Sequence, residues 1–449
     1  MSTITSSASA SSAALRYRVI VASTIGNAFE WFDFAVFGLF ILVIAQELFP
    51  AGSHTGSLLL GTAMLGVAFI FRPIGGIVFG VYADRVGRKN AVAVMVLLMA
   101  LATACMGLIP AYAVIGLAAP ILMVAARILQ GFSAGGEFSG ASALLVEYAP
   151  AGQKGYYGSY QMCSQALAVT LAGFSAYILT ACLPEAALHA WGWRLPFLFG
   201  ILVGPVGFYI RRRLQESPEF TAYKRSHPKP TAADFKTGFK DARVNLMCGF
   251  GLTVAATASF YVTFIYMPIF AVNKLQLSLA QAALPTMLCG LMLTLICPLA
   301  GQLSDRWGRK RMLVTAMILY ALVMLVFTAW VLRAPGLGRY LLLQFAATFC
   351  MAFLWGPFPA AVTETVPVGV RATGVAIIYN LAVMLFGGLA PFFITTLIHL
   401  TGNPMAPAFY VTCGVILSLL TYGIWGRDLS HQIGKDKSRF SAPGVAEGD

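Results

Sequence analysis

The chain has 449 residues, of which 59% are hydrophobic and only 10% charged, and its mean hydropathy is +0.78. A soluble protein carries roughly a quarter charged residues, so a chain this poor in charge fits a lipid environment. The formal net charge of +13 does not indicate nucleic-acid binding, because the basic residues lie in short loops and at the chain ends, where they orient membrane proteins. The eight cysteines and five histidines form no metal-ligating cluster, and we expect no metal and no cofactor.

Twelve apolar runs are each long enough to cross a bilayer, which takes about 20 residues in a helix. We number them spans 1 to 12 and predict them at 18–46, 57–83, 90–110, 117–147, 155–182, 193–211, 244–272, 279–304, 311–333, 340–364, 372–399 and 406–425. The predicted fold class is therefore an all-α membrane protein with twelve transmembrane helices.

Positive charges cluster after the even-numbered spans. Arg85, Arg88 and Lys89 follow span 2, and another basic cluster from Arg306 to Arg311 follows span 8. Because basic loops stay in the cytoplasm, both termini are predicted to be cytoplasmic.

The two halves of the chain repeat a motif. Gly80 to Lys89 returns as Gly301 to Lys310, an offset of 221 residues (301 minus 80), and the stretch from Glu147 to Gly155 resembles that from Glu364 to Gly374. The repeat predicts two pseudo-symmetric six-helix bundles flanking a central site. The predicted parts are an N-terminal tail 1–17, a bundle 18–211, a cytoplasmic linker 212–243, a bundle 244–425 and a C-terminal tail 426–449.

The repeated motifs also place opposite charges at the inner mouth. These can bond across the halves when the inner side is closed and separate when it opens, although simple orientation of the chain is the alternative role. The candidate gate residues are Asp84, Arg88, Glu147, Lys154, Asp305, Arg309, Glu364 and Arg371.

The pattern G-x-x-x-D-R-x-G-R-K in both halves resembles the signature of the major facilitator superfamily. Four further strings resemble its metabolite–proton symporter family: Gly26 to Phe34, Arg72 to Gly76, Arg127 to Glu137 and Trp191 to Phe197. Within that family, Thr363 to Arg371 and Phe386 to Pro391 look most like the citrate and tricarballylate carriers. The resemblance implies the major facilitator fold, a small carboxylate substrate and a multi-pass protein of a bacterial inner membrane. Asn380 departs from the family pattern, where a smaller residue is usual.

Ionisable residues within the bilayer are costly and indicate function. The N-terminal half carries Glu30, Asp33, Arg72, Arg127 and Glu137 at such depth, whereas the core from Leu246 to Val362 carries none outside its loops. A carboxylate paired with an arginine stays ionised, and one left alone in an apolar cavity binds a proton.

Transfer of Arg127 from Asp33 to an anionic substrate would therefore couple transport to protons, and similar Asp–Arg pairs in sugar–proton members of the superfamily support this role. A permanent ion pair is the alternative. Glu30 could carry the proton instead, Glu137 could be a packing carboxylate or a proton carrier, and sodium remains an alternative to the proton.

A di- or tricarboxylate needs cations and a dense set of donors, and arginine offers both. For Arg72, a structural pairing with Glu30 or a backbone carbonyl is the alternative. The candidate substrate residues are Arg72, Arg127, Asn27, Gln130, Tyr157, Gln161, Gln165, Tyr261, Tyr266, Trp355, Tyr379 and Asn380.

The expected function is import of citrate or tricarballylate by proton symport through alternating access. The alternatives are symport of 2-oxoglutarate, shikimate or proline/betaine, and export of a drug or metabolite. We expect no enzymatic activity, since neither a catalytic triad nor a nucleotide loop is apparent. The expected partners are the small substrate, protons and the lipid bilayer, with the chain acting as a monomer.

Overall fold

The structure is a computed structural model that describes residues 20–21, 24–50, 53–86, 88–200, 243–366 and 371–426. Apart from Arg243 and Gly426, the predicted linker 212–243 and the predicted tails 1–17 and 426–449 lie outside these residues. All regular elements in the described ranges are helices.

The first six spans follow the predicted apolar runs. Span 1 is a bent pair of helices, Thr24–Leu39 and Ile41–Leu48, with an angle of 66° between them. Span 6 is described only over 195–200. Short helices at Tyr112–Ile115 and Glu185–Ala190 lie in the connections after spans 3 and 5. Spans 2 to 5 are His54–Val86, Arg88–Leu108, Ala118–Glu147 and Lys154–Cys182.

The second half repeats the arrangement. Spans 7 to 10 are Arg243–Asn273, Leu279–Trp307, Arg309–Arg333 and Leu337–Glu364, span 11 runs from Arg371–Val383 through Met384–Gly388 to Ala390–Thr401, and span 12 is Ala406–Gly423. Nine helices in the described ranges are long and apolar enough to cross a membrane, and the bent pair of span 1 adds a tenth. Span 3 and the start of span 6 account for the remaining two of the twelve predicted spans.

Successive spans alternate in direction, so the turns fall on two faces. We call the face with the turns after spans 2, 4, 8 and 10 the even-loop face, and the opposite one the odd-loop face. The turn between spans 8 and 9 is at Gly308, whose φ of 93° is a conformation that glycine adopts at little cost. The repeated motif therefore has a tight turn at this glycine.

Several spans are interrupted near their middle. Span 10 breaks between Trp355 and Phe358, at the predicted Gly356-Pro357 pair. Span 4 breaks at Gly135-Gly136, between Ala118–Ala134 and Glu137–Glu147. Span 7 contains the π-helical segment Tyr261–Tyr266. Such breaks leave backbone carbonyls without their usual helical partners, and side chains from other spans bind two of them, as described below.

Glycines bring spans 2 and 4 into backbone contact. A Cβ atom at Gly75 would overlap the backbone of Phe132, and one at Gly131 would overlap the backbone of Ala68. Neither neighbour is a flexible side-chain end, so the two helices cannot yield without separating. This contact holds Arg72 on span 2 beside the break in span 4.

The two halves contact each other towards both faces. Spans 5 and 8 run together, with Gly155 against the Gly301 carbonyl near the even-loop face and Gly173 against the span 8 backbone nearer the odd-loop face. On the odd-loop side, a Cβ atom at Gly38 of span 1 would meet Ile265 of span 7. The region between the halves is therefore closed at both ends in this conformation.

We predict that Gly131→Ala lowers the stability of the protein, because the added methyl group forces spans 2 and 4 apart at a cost of about 1–3 kcal/mol. The matched control is Gly140→Ala in the same span, where a Cβ atom meets nothing within 4 Å. Alanine there favours the helix by about 0.5–1 kcal/mol. Thermal unfolding of the detergent-purified variants measures both effects, and equal melting temperatures would contradict the packing argument.

Candidate functional site

A small cavity lies between the halves, and both halves contribute to its wall. Trp31 of span 1 contacts Phe260 of span 7 edge to face, with ring centroids 5.1 Å apart, and Phe260 stacks on Trp355 at 4.7 Å. The wall is thus largely aromatic, with the Gln165 amide as a polar group. The lining residues are Trp31, Met162, Gln165, Ala256, Thr257, Phe260, Trp355, Phe358 and Tyr379.

Arg72 lies fully buried beside this cavity. It forms an ion pair with Glu30, and both side chains are only 1% exposed. The same Nη2 atom also donates to the carbonyl of Ala134, at the break in span 4, over 3.4 Å. Its Nε and Nη1 atoms have no hydrogen-bond partner among the described residues. The guanidinium carbon lies 5.9 Å from the ring centroid of Trp31, which connects the ion pair to the cavity wall.

Arg127 of span 4 is the second buried cation. Its Nη1 donates to Gln130 Oε1 over 2.6 Å, and its guanidinium carbon lies 3.4 Å from the ring centroid of Phe37. Arg127 Nε and Nη2 and the amide nitrogen of Gln130 have no hydrogen-bond partner within the described part of the chain. The cluster therefore keeps donor groups that an anion could accept from.

Asp33 does not form an ion pair with Arg127 in this conformation. Its Oδ2 accepts a hydrogen bond from the hydroxyl of Thr103 on span 3. Its Oδ1, which has no hydrogen-bond partner among the described residues, faces Gly200 at the start of span 6. The two groups still interact electrostatically. The expected Asp33–Arg127 bond is thus an interaction at longer range here.

Asn27 faces span 5. Its side-chain oxygen accepts from the amides of Gln161 at 2.9 Å and Gln165 at 3.4 Å, and its amide donates to Ser164 Oγ over 2.7 Å. Asn27, Glu30 and Asp33 therefore point to three different neighbours. These three residues are spaced three apart along span 1, and in an α-helix side chains three residues apart differ in direction by about 60° around the helix axis.

Tyr261 of span 7 packs against the charged cluster from the C-terminal half. Its ring lies edge to face on Phe69 and Trp31, with ring centroids 5.3 and 6.1 Å apart, and its hydroxyl has no hydrogen-bond partner in the described residues. Asn380 donates to the carbonyl of Gly135 over 2.6 Å, at the break in span 4. The residue that departs from the family pattern thus forms a hydrogen bond between the halves.

The other predicted aromatic residues divide into two groups. Tyr379 stacks on Phe138 of span 4 at 3.6 Å, and the Trp355 indole donates to the carbonyl of Ala256, so both line the cavity from fixed positions. Tyr266 instead faces Thr395 of span 11. Tyr157 packs edge to face on Tyr156, with ring centroids 5.7 Å apart. Neither Tyr266 nor Tyr157 lines the cavity.

Sequence reasoning did not single out four residues that contact this cluster. Trp31 and Phe260 line the cavity, Phe37 lies under Arg127, and Thr103 binds Asp33. A signal existed for Thr103, which is the single hydroxyl residue in the apolar run from Leu97 to Leu108. The aromatic residues carried none, since aromatic side chains are frequent throughout the chain. Glu137 begins the second segment of span 4, where it is half-buried.

Five of the eight predicted gate residues form contacts at the even-loop face. Asp305, at the end of span 8, accepts from the backbone amides of Gly155 and Tyr156 at 2.9 and 3.0 Å. Asp305 thereby places a carboxylate at the N-terminus of span 5, where a negative charge is favourable and the N-cap residue, Gln153, forms no side-chain hydrogen bond to the helix. Arg371 lies 3.6 Å from Glu147, which joins spans 11 and 4.

Two further contacts complete this face. Arg309 bonds to Asp305 at 2.7 Å and also to Glu364, within the C-terminal half. Lys154 is the first residue of span 5. The side chains of Asp84 and Arg88 lie outside the described residues.

Two repeated helical halves that enclose a buried charged site are the architecture of a membrane transporter with a central binding site. The chain matches the family model of the Major Facilitator Superfamily over residues 24–391 and again over 252–441. It belongs to the Major Facilitator Superfamily, and the predicted family and fold class are confirmed.

Characterised relatives extend over nearly the whole chain. The citrate-proton symporter of Salmonella typhi is 37% identical over 91% of this chain and 94% of its own length, and that of Klebsiella pneumoniae is 38% identical over 90% of both. The proline/betaine transporter of Escherichia coli strain K12 is 30% identical over 90% of this chain and 82% of its own. These relatives are transporters.

The fold is similar to solved transporter structures. The xylose transporter XylE from E. coli, in a partially occluded inward open conformation, superposes with a TM-score of 0.73. The match covers 92% of this chain and 98% of XylE at 19% sequence identity. At this identity the likeness concerns the fold alone.

We predict that Asp305→Ala opens the even-loop face more often, because it removes the acceptor of two amide hydrogen bonds between the halves. The reporter is Cys163, which lies between spans 5 and 8 and donates to the carbonyl of Thr294 over 3.2 Å. In a background where Cys163 is the only cysteine, its labelling by a membrane-permeant maleimide should accelerate several-fold.

Glu185→Ala, which removes an acidic side chain at the odd-loop face, is the control and should leave the labelling rate of Cys163 unchanged. An unchanged rate in Asp305→Ala would show that this carboxylate does not hold the halves together.

Proposed function

We propose that this protein imports citrate into a bacterial cell by proton symport. The observation that carries the proposal is the relation to two citrate-proton symporters, at 37% and 38% identity over at least 90% of each chain. The match spans at least 90% of each chain, so it covers both halves and the region between them.

The charged cluster suits a tricarboxylate. Arg72 and Arg127 are buried cations with unsatisfied N–H groups, and guanidinium groups bind carboxylates through charge-assisted hydrogen bonds. Gln130 and Tyr261 add neutral donors beside them. Arg72 contributes a net positive charge towards citrate only if Glu30, its present partner, is neutral, and a cotransported proton on that carboxyl group would supply this condition.

Proton coupling is assigned to the buried carboxylates of the N-terminal half. Glu30 and Asp33 are 1% and 5% exposed, and each interacts with an arginine. Glu137 is the third candidate. A carboxylate that loses its arginine to the substrate has reason to bind a proton, and one that regains it has reason to release the proton.

Transport proceeds by alternating access between the halves. Opening of the even-loop face requires loss of the Glu147–Arg371 contact and of the hydrogen bonds to Asp305. We assign the even-loop face to the cytoplasm, because basic residues are concentrated in its turns. With this assignment we propose that both termini are cytoplasmic and that the protein acts in the inner membrane as a monomer without enzymatic activity. The proposed division into parts keeps the boundaries predicted from the sequence.

One observation favours a second candidate, the symport of a zwitterion such as proline or betaine. The cavity wall contains Trp31, Phe260 and Trp355, and aromatic faces bind quaternary or secondary ammonium groups. Arg72 beside them would bind the single carboxylate. The relative that transports proline and betaine is less similar, at 30% identity, which places this candidate second.

The test is uptake of labelled citrate by the purified protein in liposomes, with and without an inward proton gradient. We expect gradient-driven citrate uptake that unlabelled tricarballylate inhibits and proline does not. Arg127→Ala should reduce it by about thirtyfold or more, because loss of a charged partner costs about 2 kcal/mol or more. Arg333→Ala, at the exposed end of span 9, is the control and should transport normally.

The competitors decide between the candidates. Uptake of proline or betaine with no entry of citrate and no competition by it would replace the citrate proposal by the second candidate. Uptake of citrate that follows a sodium gradient rather than a proton gradient would leave the substrate in place and overturn the coupling ion.

A further inference from the structure

The Glu30–Arg72 pair is the part of the charged cluster that lies against the cavity. Arg72 is close to the Trp31 ring, and Trp31 forms part of the cavity wall. Tyr261, which comes from the opposite half, packs edge to face on Trp31 and Phe69, two of the rings that lie close to the Arg72 guanidinium. A carboxylate entering between the halves would therefore reach Arg72, whose Nε and Nη1 have no hydrogen-bond partner among the described residues.

Asp33 is placed differently. Its carboxylate lies between Thr103 of span 3 and Gly200 of span 6, within its own bundle. Its interaction with Arg127 is electrostatic and lacks a direct bond in this conformation. A substrate in the cavity has no bond to displace at Asp33, whereas at Arg72 it must compete with Glu30.

We propose that Glu30 carries the coupled proton and that Arg72 exchanges Glu30 for a carboxylate group of the substrate. This inference rests on the proposed function, because it needs a substrate with a carboxylate group and a coupled proton. The substrate and Glu30 compete for the same guanidinium group, so binding of the substrate separates Glu30 from its counter-ion.

The environment turns this separation into proton binding. Glu30 is 1% exposed, and the loss of a bonded counter-ion at such a buried site strongly disfavours the ionised form of a carboxyl group. Glu30 therefore takes a proton from the outer solution when the substrate binds. After the inner side opens, Glu30 loses the proton to the cytoplasm and recovers Arg72, which displaces the substrate.

The charged and titratable groups that face Glu30 come from several spans. They include Arg72 of span 2, Asp33 of span 1, Tyr261 of span 7 and Tyr379 of span 11. Asp33 disfavours the ionised form of Glu30 by repulsion, and the two tyrosines are uncharged. Arg72 is a cation bonded directly to Glu30, so transfer of Arg72 to the substrate shifts Glu30 towards its protonated form.

Proton uptake on substrate binding tests the inference directly. Citrate at matched pH is added to the detergent-purified protein in weak buffer with a pH indicator, and the bound citrate is measured in parallel. The wild type should take up about one proton per citrate bound, and Glu30→Gln should take up none. Glu47→Gln is the matched control, since Glu47 lies in the same span but is 26% exposed and pairs with His189.

The pH dependence of affinity gives a second readout. Because binding requires a proton on Glu30, citrate affinity of the Glu47→Gln control should weaken as pH rises, by up to about tenfold per pH unit. In Glu30→Gln the competing carboxylate is absent, so this dependence should disappear and affinity at high pH should exceed that of the control. Comparison of the two variants cancels the ionisation of citrate itself.

The outcomes separate the inference from the function on which it rests. Proton uptake that persists in Glu30→Gln and is lost in Asp33→Asn overturns the inference and leaves citrate symport standing. A wild type that binds no citrate overturns the proposed function, and the proton count is then made with proline, where its absence overturns the inference as well. If Glu30→Gln does not fold, Glu30→Ala, which also lacks the carboxylate, takes its place, and a pH dependence identical to that of Glu47→Gln overturns the inference.

Discussion

The burial of two guanidinium groups inside an apolar bundle is the constraint on which the site depends. A cation in the hydrocarbon region is costly unless charge, hydrogen bonds or aromatic faces compensate it. The charge of Arg72 is compensated by Glu30, the Ala134 carbonyl and three aromatic rings. The charge of Arg127 is compensated by Gln130 and the ring of Phe37. These partners come from spans 1, 2 and 4, and the glycine contacts between spans 2 and 4 bring them within reach.

In the C-terminal half, neutral buried groups of spans 7, 9 and 10 form hydrogen bonds with one another. Tyr320 and Thr263 hydrogen-bond at 2.7 Å, and the Gln344 amide donates to the Thr263 carbonyl at 3.1 Å, within the π-helical segment of span 7. Such a network has no charge to exchange, so binding of an anion does not change its balance. We therefore assign the charge-dependent steps of the proposed mechanism, substrate binding and proton binding, to the N-terminal half. The C-terminal half contributes aromatic residues of the cavity wall and Tyr261.

Much of this organisation could be predicted from the sequence, because the length of an apolar run and the position of a charge within it determine depth. The order of the spans, the break at Gly356-Pro357 and the burial of Glu30, Asp33, Arg72 and Arg127 follow in this way. The bonding partners of each buried residue are harder to predict from the sequence, because they depend on how each helix is rotated and on which helix lies beside it.

Two examples show this limit. From the sequence, Glu30 is one of two possible partners of Arg72, and the structure shows the ion pair between them. The sequence does not predict that the Thr103 hydroxyl binds Asp33, because a single hydroxyl in an apolar run is usually bonded within its own helix. Tyr157 shares its spacing with Gln161 and Gln165, yet only the two glutamines bind Asn27.

The break in span 4 connects the charged site to the even-loop face. Its two freed carbonyls bind Arg72 from the same half and Asn380 from the other, and the segment that follows ends about 18 Å away at Glu147. The break is thus bound by a residue of the charged site, and the far end of the segment that follows it is bound by Arg371. A change in the bonds of Arg72 therefore acts at the break from which the segment carrying Glu147 begins. Substrate exchange at Arg72 and closure of the even-loop face therefore act on one helical segment, and neither requires movement of the neutral network in the opposite half.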